Sequence, residues 1–568
     1  MSTTTPLSVA NRSDALDRMR HEELDVLVIG AGVVGAGCAL DAVTRGLTVG
    51  LVEARDYAAG TSSRSTKLLH GGLRYLEQFD FPLVFEALRE RSLLLNRLCP
   101  HLARSVPFIY PLGRLVDRAY VGLGIGVYDV MGAGRGVPGH HRHLSRRQTM
   151  ASFPSGKRSA IRGAVRFYEA QVDDARHTMM ISRTAAGYGA LCASSTRVTG
   201  FARQGDRVVG VDATDLETGQ AFRIRARQVI NAAGVWTDEI QEMVGGRGQF
   251  QVRASKGVHL VVPRNRINSD TGIIARTASS LLFIVPWGSH WIIGTTDTDW
   301  KLDLAHPAAS RQDIDYLLGR ANSLLHDPLA REDVVGVYAG LRPLLSGESE
   351  STSTLSREHA VSSPVRGLTV IAGGKYTTYR VMAKDAVNNA VHGLERAVPA
   401  SCTERVPLVG AEGYVGVFNA RQLVADRTGM HVSTIEHLLG RYGTLTSELL
   451  ELIATRPKLG GPLAGAPDYL RAEAVYAASH EGALHLDDIL TRRTRISIEV
   501  PDRGCAAAPE VAELVAPVLG WTPEHVDLEV ERYLLRVAAE RESQEQSDDN
   551  TADAARLGAP DVRLGAVG

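Results

Sequence analysis

The chain has 568 residues, of which 44% are hydrophobic and 22% charged, the balance of an ordinary globular protein. A formal net charge of -1 argues against nucleic acid as a partner, and the length predicts about two or three domains with real cores. Five scattered cysteines (Cys38, Cys99, Cys192, Cys402 and Cys505) show no metal-ligand spacing, so a reducing compartment and no structural metal are expected.

The first 21 residues lack the apolar core of a signal peptide and read as a polar arm. No stretch approaches the roughly 18 uninterrupted apolar residues of a spanning helix, which excludes integral insertion but not lying on a membrane. "LDVLVI", Leu24 to Ile29, is a buried-strand run, and "LTVGLVEA", Leu47 to Ala54, is a second of the same kind. Between them Gly30-Ala31-Gly32-Val33-Val34-Gly35 opens a helix. Phe81 to Cys99 has helical periodicity, and Pro and Gly break the segment from Pro100 to Gly139, which reads as an inserted cap. "VDDARHTMMISRTAAGYGA" is a helix with an acidic start at Val172 to Asp174.

Short strands with polar turns follow from Arg197 to Ile230, and "QVINAAGVW" is a further buried strand running into a Gly turn. Strand patterns continue through "KGVHLVVP", "LLFIVPW", "HWIIGTT" and "DVVGVYAGLRP". "LTVIAGGKYTTYRVMAKDAV" then repeats the strand, glycine, helix order of the N-terminal region. Beyond about Val398 only helical patterns remain. From Ser543 onward the chain lacks aromatics and a convincing apolar face, and disorder is expected.

Gly30, Gly32 and Gly35 form G-x-G-x-x-G with a strand before and a helix after. Such glycines permit a tight turn and close approach of backbone to a pyrophosphate seated on the positive helix end. Glu53, ending the second strand, is placed to accept from ribose hydroxyls. The competing reading is a glycine-rich structural turn. An NAD enzyme would continue directly into a second half-fold, whereas here "INAAGVW" and "IAGGKYTT" return to the sheet from far along the chain. Separated returns of that type suit FAD, whose length needs one end for pyrophosphate and another for the flavin ring.

The segments "IGAGVVGAGCALDAVTRG", "SSRSTKLLHGGLRYLE", "KGVHLVVP", "IIGTTD", "GLRPLL" and "GGKYTTYRVMA", in this order, resemble the FAD-dependent, quinone-linked sn-glycerol-3-phosphate dehydrogenases. The resemblance runs from about Leu24 to Glu542, including "DDILTRR" in the helical region. Ala31 stands where many members of that family carry a third glycine.

The resemblance implies oxidation of glycerol 3-phosphate to dihydroxyacetone phosphate, with hydride passing to non-covalent FAD and electrons onward to a membrane quinone. "GTSSRSTKLLHGG" holds no evident flavinylation motif. Arg342 and Arg357 match phosphate-contacting arginines, which suits the fixed fork of a guanidinium. Arg74 and Tyr75 are further substrate-side groups. His259 matches a substrate-site histidine and is the favoured proton acceptor, against the reading of a histidine simply hydrogen-bonded within a sheet. Lys375, at the start of the last helix of this region, would add its charge to the helix dipole.

Thr61, Ser62 and Lys67 are placed along the cofactor, with His70, Gly71 and Gly72 close to the ring. Val198, Ala233, Gly234, Gly374, Thr377 and Thr378 complete the cofactor set. The expected fold is α/β, with a Rossmann-like FAD-binding domain assembled from residues 22–79, 165–252 and 335–397. An antiparallel-sheet substrate domain takes 80–164 and 253–334, followed by an α-helical domain at 398–542 and a disordered tail at 543–568. The expected location is cytoplasmic, docked on the inner membrane face, with "RLVDRAYVGLGIGVYDVM", Arg114 to Met131, read either as a lipid contact or as a buried hairpin. The resemblance suggests a homodimer. Oxygen as acceptor, a tRNA-modifying FAD protein and a non-catalytic FAD scaffold stay open as alternatives.

Overall fold

The computed structural model describes residues 4–70, 81–113, 125–126, 141–245, 250–276, 281–346 and 358–563. One eight-stranded sheet carries, in spatial order, His359–Val365, Leu368–Gly373, Ala221–Asn231, Glu23–Ile29, Val49–Val52 and Leu191–Ala193. All neighbours in this row pair in parallel except the first two, which are antiparallel. The Thr196–Gln204 and Arg207–Asp215 hairpin adds to it beside Ala221–Asn231. Strands buried on both faces need continuous apolar runs, and Leu24, Val26, Leu27 and Val28 are accordingly almost wholly buried. The helices Val33–Thr44, Asp174–Gly187 and Tyr379–Val391 share one face of this sheet through a common apolar cluster.

The second sheet has ten strands and is antiparallel apart from one parallel pair between Gly272–Arg276 and Ala103–Leu112. Within it, Val252–Pro263 pairs antiparallel with Gly336–Leu345, a strand distant in sequence, over ten registered pairs, from Val252 with Leu345 to Val261 with Gly336. Gly163–Val172 and Gly336–Leu345 both belong to this sheet, so the expected boundaries at 165 and 335 do not follow the strands. The reason is that a strand's residue pattern does not reveal which sheet it joins. The third part, from Tyr414 onward, is helical, with a small hairpin of Pro462–Leu463 and Ala466–Leu470.

Two terminal expectations are corrected. The polar arm is the helix Val9–His21, capped by Ser8, which accepts from the Asn11 amide at 3.2 Å. Its Ala15, Leu16 and Met19 are buried with Leu24 and Leu27, a stripe too narrow to lift the polar composition around it. The expected disordered tail instead continues the helix Pro523–Glu545 into a second helix, Asp549–Arg556. Asp548 caps it by accepting from Asn550 and Thr551 amides, and Ala552 is buried beside Trp300 and Leu341. Arg563, also buried, reaches Asp488 at 2.8 Å. Polar anchors fasten this tail, which is why low hydrophobicity misread it.

Candidate active site

The parallel strands of the first sheet deliver their carboxyl ends to one cavity of ≈ 450 Å³. It is lined by Ile29 and Gly30, by Val52 and Glu53, by Ala232 to Trp236, and by Ile371 to Tyr376. Each group follows a strand end in the row described above, which is where doubly wound sheets hold ligands. Gly30 turns the chain with a φ of +97°, and a Cβ there would lie 2.8 Å from the Ala232 carbonyl oxygen. Only glycine fits that turn. The helix Val33–Thr44 starts soon after, so its positive N-terminal end faces the cavity at Gly32 and Val33.

Glu53 accepts from the Ala31 amide at 2.7 Å and from the Arg55 amide at 2.9 Å. Burial lifts its carboxyl above the usual range, and the two backbone donors work in the opposite direction. Ser62 Oγ accepts from the Val33 amide at 2.9 Å, and Thr61 Oγ1 donates to the Leu341 carbonyl at 2.5 Å. These two bonds tie the Thr61–Ser63 turn to the start of the Val33–Thr44 helix on one side and to the second sheet on the other. Val198, Ala233, Gly234, Gly374 and Lys375 also line the cavity.

Other predicted cofactor residues lie elsewhere. Gly35 packs helix against strand, since a Cβ would sit 1.8 Å from the Gly30 carbonyl oxygen. Thr377 and Thr378 are buried at the helix start; Thr377 Oγ1 donates to the His70 carbonyl at 3.3 Å. Lys67 does not reach the cavity. It is fully buried, with Nζ donating to Asp174 at 2.7 Å and to the Ser63 carbonyl at 2.6 Å. Burial and the Arg495 guanidinium hold its ammonium down to about 8, against the pull of Asp174. The sequence placed Lys67 by its position in a motif, and the acidic helix start at Asp174 claimed it. Gly71, Gly72, Arg74, Tyr75 and Arg357 lie outside the described residues, as does nearly all of Arg114 to Met131.

The second sheet supplies the opposite side. His259 and Ser255 lie on one face of Val252–Pro263, and on the neighbouring strand Gly336–Leu345 they pair with Tyr338 and Arg342. The His259 ring stacks on Tyr338 with centroids 4.7 Å apart, and its Nε2 is 2.9 Å from Thr66 Oγ1. Its Nδ1 is buried with no hydrogen-bond partner among the described residues. Burial, then the Arg342 and Lys67 charges, depress its pKa well below the usual 6.5, so the ring is neutral. Arg342 Nη2 donates to Thr295 Oγ1 at 3.0 Å and to the Thr296 carbonyl at 3.2 Å. Gly257 leaves the room for this, because a Cβ there would lie 2.6 Å from Arg342 Nη2.

Sequence reading missed Thr66, Tyr338 and Tyr376. Tyr338 sits four residues before Arg342 on the same strand, so a period-two reading would have paired them. The Tyr376 hydroxyl donates to the Asp174 carbonyl at 2.9 Å and forms part of the cavity wall. No spacing signals that contact.

Residues 25–380 match the FAD-dependent oxidoreductase family, and residues 401–526 match the C-terminal domain of α-glycerophosphate oxidase. The chain is 56% identical over 558 residues to glycerol-3-phosphate dehydrogenase 2 of Mycobacterium tuberculosis, covering 98% of this chain and 95% of that one. The chain belongs to the FAD-dependent glycerol-3-phosphate dehydrogenase family.

The human mitochondrial glycerol-3-phosphate dehydrogenase is 36% identical over 534 residues, covering 90% of this chain and 73% of the human protein. Among solved structures, the Bacillus halodurans glycerol-3-phosphate dehydrogenase complexed with FAD has a TM-score of 0.77 and 28% identity, covering 94% of this chain and 98% of that one. L-α-glycerophosphate oxidase from Mycoplasma pneumoniae shares the fold at a TM-score of 0.53 and 18% identity, covering 68% of this chain and 99% of that one. The dehydrogenase family's FAD fits the residues present. The Gly30 turn admits a close-lying pyrophosphate, the helix N-terminus at Gly32 faces it, and Glu53 directly follows the second strand, where a ribose acceptor is needed.

Proposed function

We propose that this chain oxidises sn-glycerol 3-phosphate to dihydroxyacetone phosphate at the junction of the two sheets, with a membrane quinone as the final electron acceptor. The observation that carries the substrate reading is the pairing of Arg342 with Ser255 and of Tyr338 with His259 on one face of a single antiparallel strand pair. Bound FAD would supply the hydride acceptor. Arg342 would hold the phosphate through its guanidinium fork, with Arg357, Arg74 and Tyr75 proposed as further substrate-side groups. His259, kept neutral by burial, would take the proton from the carbinol hydroxyl as hydride leaves the same carbon. Lys375, ahead of the Tyr376–Thr378 turn and the Tyr379–Val391 helix, would place positive charge beside developing negative charge. Glu53, Thr61, Ser62, Val198, Ala233, Gly234 and Gly374 would line the cofactor.

Anaerobic addition of glycerol 3-phosphate should bleach the purified yellow protein without RNA or folate. Failure to bleach overturns the substrate reading. The reduced protein should be reoxidised faster by a soluble quinone than by dissolved oxygen, and the reverse order would make it an oxidase. Acid precipitation should leave FAD in the supernatant; a yellow pellet would mean a covalent link. Among the described residues no helix is long and apolar enough to cross a membrane. The proposed contact with the inner face of the cytoplasmic membrane is a peripheral one, and co-flotation with lipid vesicles tests it.

A further inference from the structure

Two smaller cavities of ≈ 40 and ≈ 60 Å³ lie where the helical domain and the C-terminal tail close over the Thr61–Ser63 turn. Arg64, His306, Arg536 and Arg556 line both of them, so the two spaces form one polar chamber. The smaller has seven arginines in its wall against three carboxylates among the described residues.

Those carboxylates are already engaged. Asp487 meets Arg492 at 2.9 Å and Arg536 at 2.8 Å. Asp561 accepts from Arg55 and lies 3.0 Å from His306 Nε2. Glu529 accepts from His485 at 3.0 Å and from the Leu486 amide at 2.9 Å. The second space adds only Glu540, which is shared between Arg536 at 2.8 Å and Arg556 at 3.7 Å.

Among the described residues, Arg64 is left with no carboxylate within ion-pair distance; its Nη1 donates to the Ala305 carbonyl, at 3.1 Å. Burial and then the neighbouring charges of Arg492, Arg556, Arg536 and Arg55 push its pKa down to about 9. A guanidinium so placed is destabilised unless negative charge joins it. Each space exceeds what one water needs, and neither admits a sizeable carbon skeleton.

We propose that this chamber is a binding site for a free inorganic oxyanion, phosphate, held by Arg64, Arg536 and Arg556 and closed by the tail at Pro560 to Arg563. The guanidinium forks match a tetrahedral anion, and no residue of the proposed substrate grip takes part. Arg55 lines both this chamber and the large cavity, so an anion here would also brace the edge of the cofactor site.

The test uses the holoenzyme, with inorganic phosphate titrated calorimetrically at constant ionic strength. Because phosphate is also expected to compete at the substrate site, the titration is repeated on Arg342→Ala holoenzyme. One binding event should survive Arg342→Ala. Arg556→Gln should weaken that event about tenfold or more, as loss of a charged hydrogen-bond partner implies, with kcat for glycerol 3-phosphate unchanged. Arg532→Gln, at a more exposed position (21% exposed) in the wall, should weaken it in the same direction and keeps the test standing if Arg556→Gln does not fold. Binding that vanishes in Arg342→Ala places phosphate at the substrate site alone and overturns the proposal. So does binding that both wall variants leave unchanged, or no binding, in which case the chamber holds water. Glycerol 3-phosphate bleaching is independent of all these outcomes, so the substrate assignment stands or falls separately.

Discussion

His259 lies flat against Tyr338, with ring planes 9° apart, and keeps its Nε2 within 2.9 Å of Thr66 Oγ1. The stack holds the imidazole in one orientation and removes it from water. A buried ring flanked by Arg342 and Lys67 resists protonation, so it stays a competent base in mildly acidic solution. The kcat of glycerol 3-phosphate oxidation should therefore show no loss near pH 6.5 from this group, its acidic limb lying well below. His259→Asn should lower kcat by ~10²–10⁴-fold, the usual weight of a general base. A limb at about 6.5 that disappears in His259→Asn would contradict this account.

Arg342 is expected to read the phosphate. Arg342→Ala removes one partner of a charge pair, which costs ~2–5 kcal/mol, so kcat/KM should fall roughly 30- to several-thousand-fold. Slow oxidation of unphosphorylated glycerol should change far less. Equal losses on both substrates, with flavin still bound, would remove Arg342 from phosphate recognition.

Glu53 serves both the turn and the proposed ribose contact, since its carboxylate already accepts from Ala31 and Arg55. Glu53→Ala should weaken FAD retention roughly 10- to 100-fold, the effect of losing a charged acceptor. Glu53→Gln, which keeps an acceptor oxygen, should fall between. Flavin absorbance after dialysis reads both variants, and unchanged occupancy would place Glu53 outside the cofactor site.

His485 joins the domains. It donates from Nδ1 to Glu529 at 3.0 Å and from Nε2 to Glu217 at 3.1 Å. Burial and Arg563 oppose its charge, but the two carboxylates prevail and raise its pKa to about 9. The folded value exceeds the unfolded ~6.5, so the stabilisation is complete below ~6.5 and is lost as pH rises through about 9. The urea midpoint should fall across that window, by the equivalent of roughly 3 kcal/mol. His485→Gln should flatten the fall, and an unchanged slope would count against the pair.

Much of the lining of the large cavity was legible in the primary structure. Gly30, Gly32 and Glu53 could be read because a tight turn, a helix start and a strand end each impose a residue type locally. Lys67 could not be placed this way, since its partner Asp174 lies on a distant helix and nothing near Lys67 in sequence announces it. The tail was misread for a related reason. Its anchors, Arg563 to Asp488 and Asp549 to Lys256, are ion pairs across domains, and hydropathy does not register them.

By itself the amino-acid sequence determined the parallel strands, the glycine turn, the helical third domain and the family, because local backbone chemistry and apolar period carry those properties. Only the tertiary structure decided which sheet Gly163–Val172 and Gly336–Leu345 join, that His259 and Tyr338 stack, and that the arginines around Arg64 converge. Pairing register and long-range charge contacts depend on distances between segments far apart in the chain, and those distances exist only once the chain has folded.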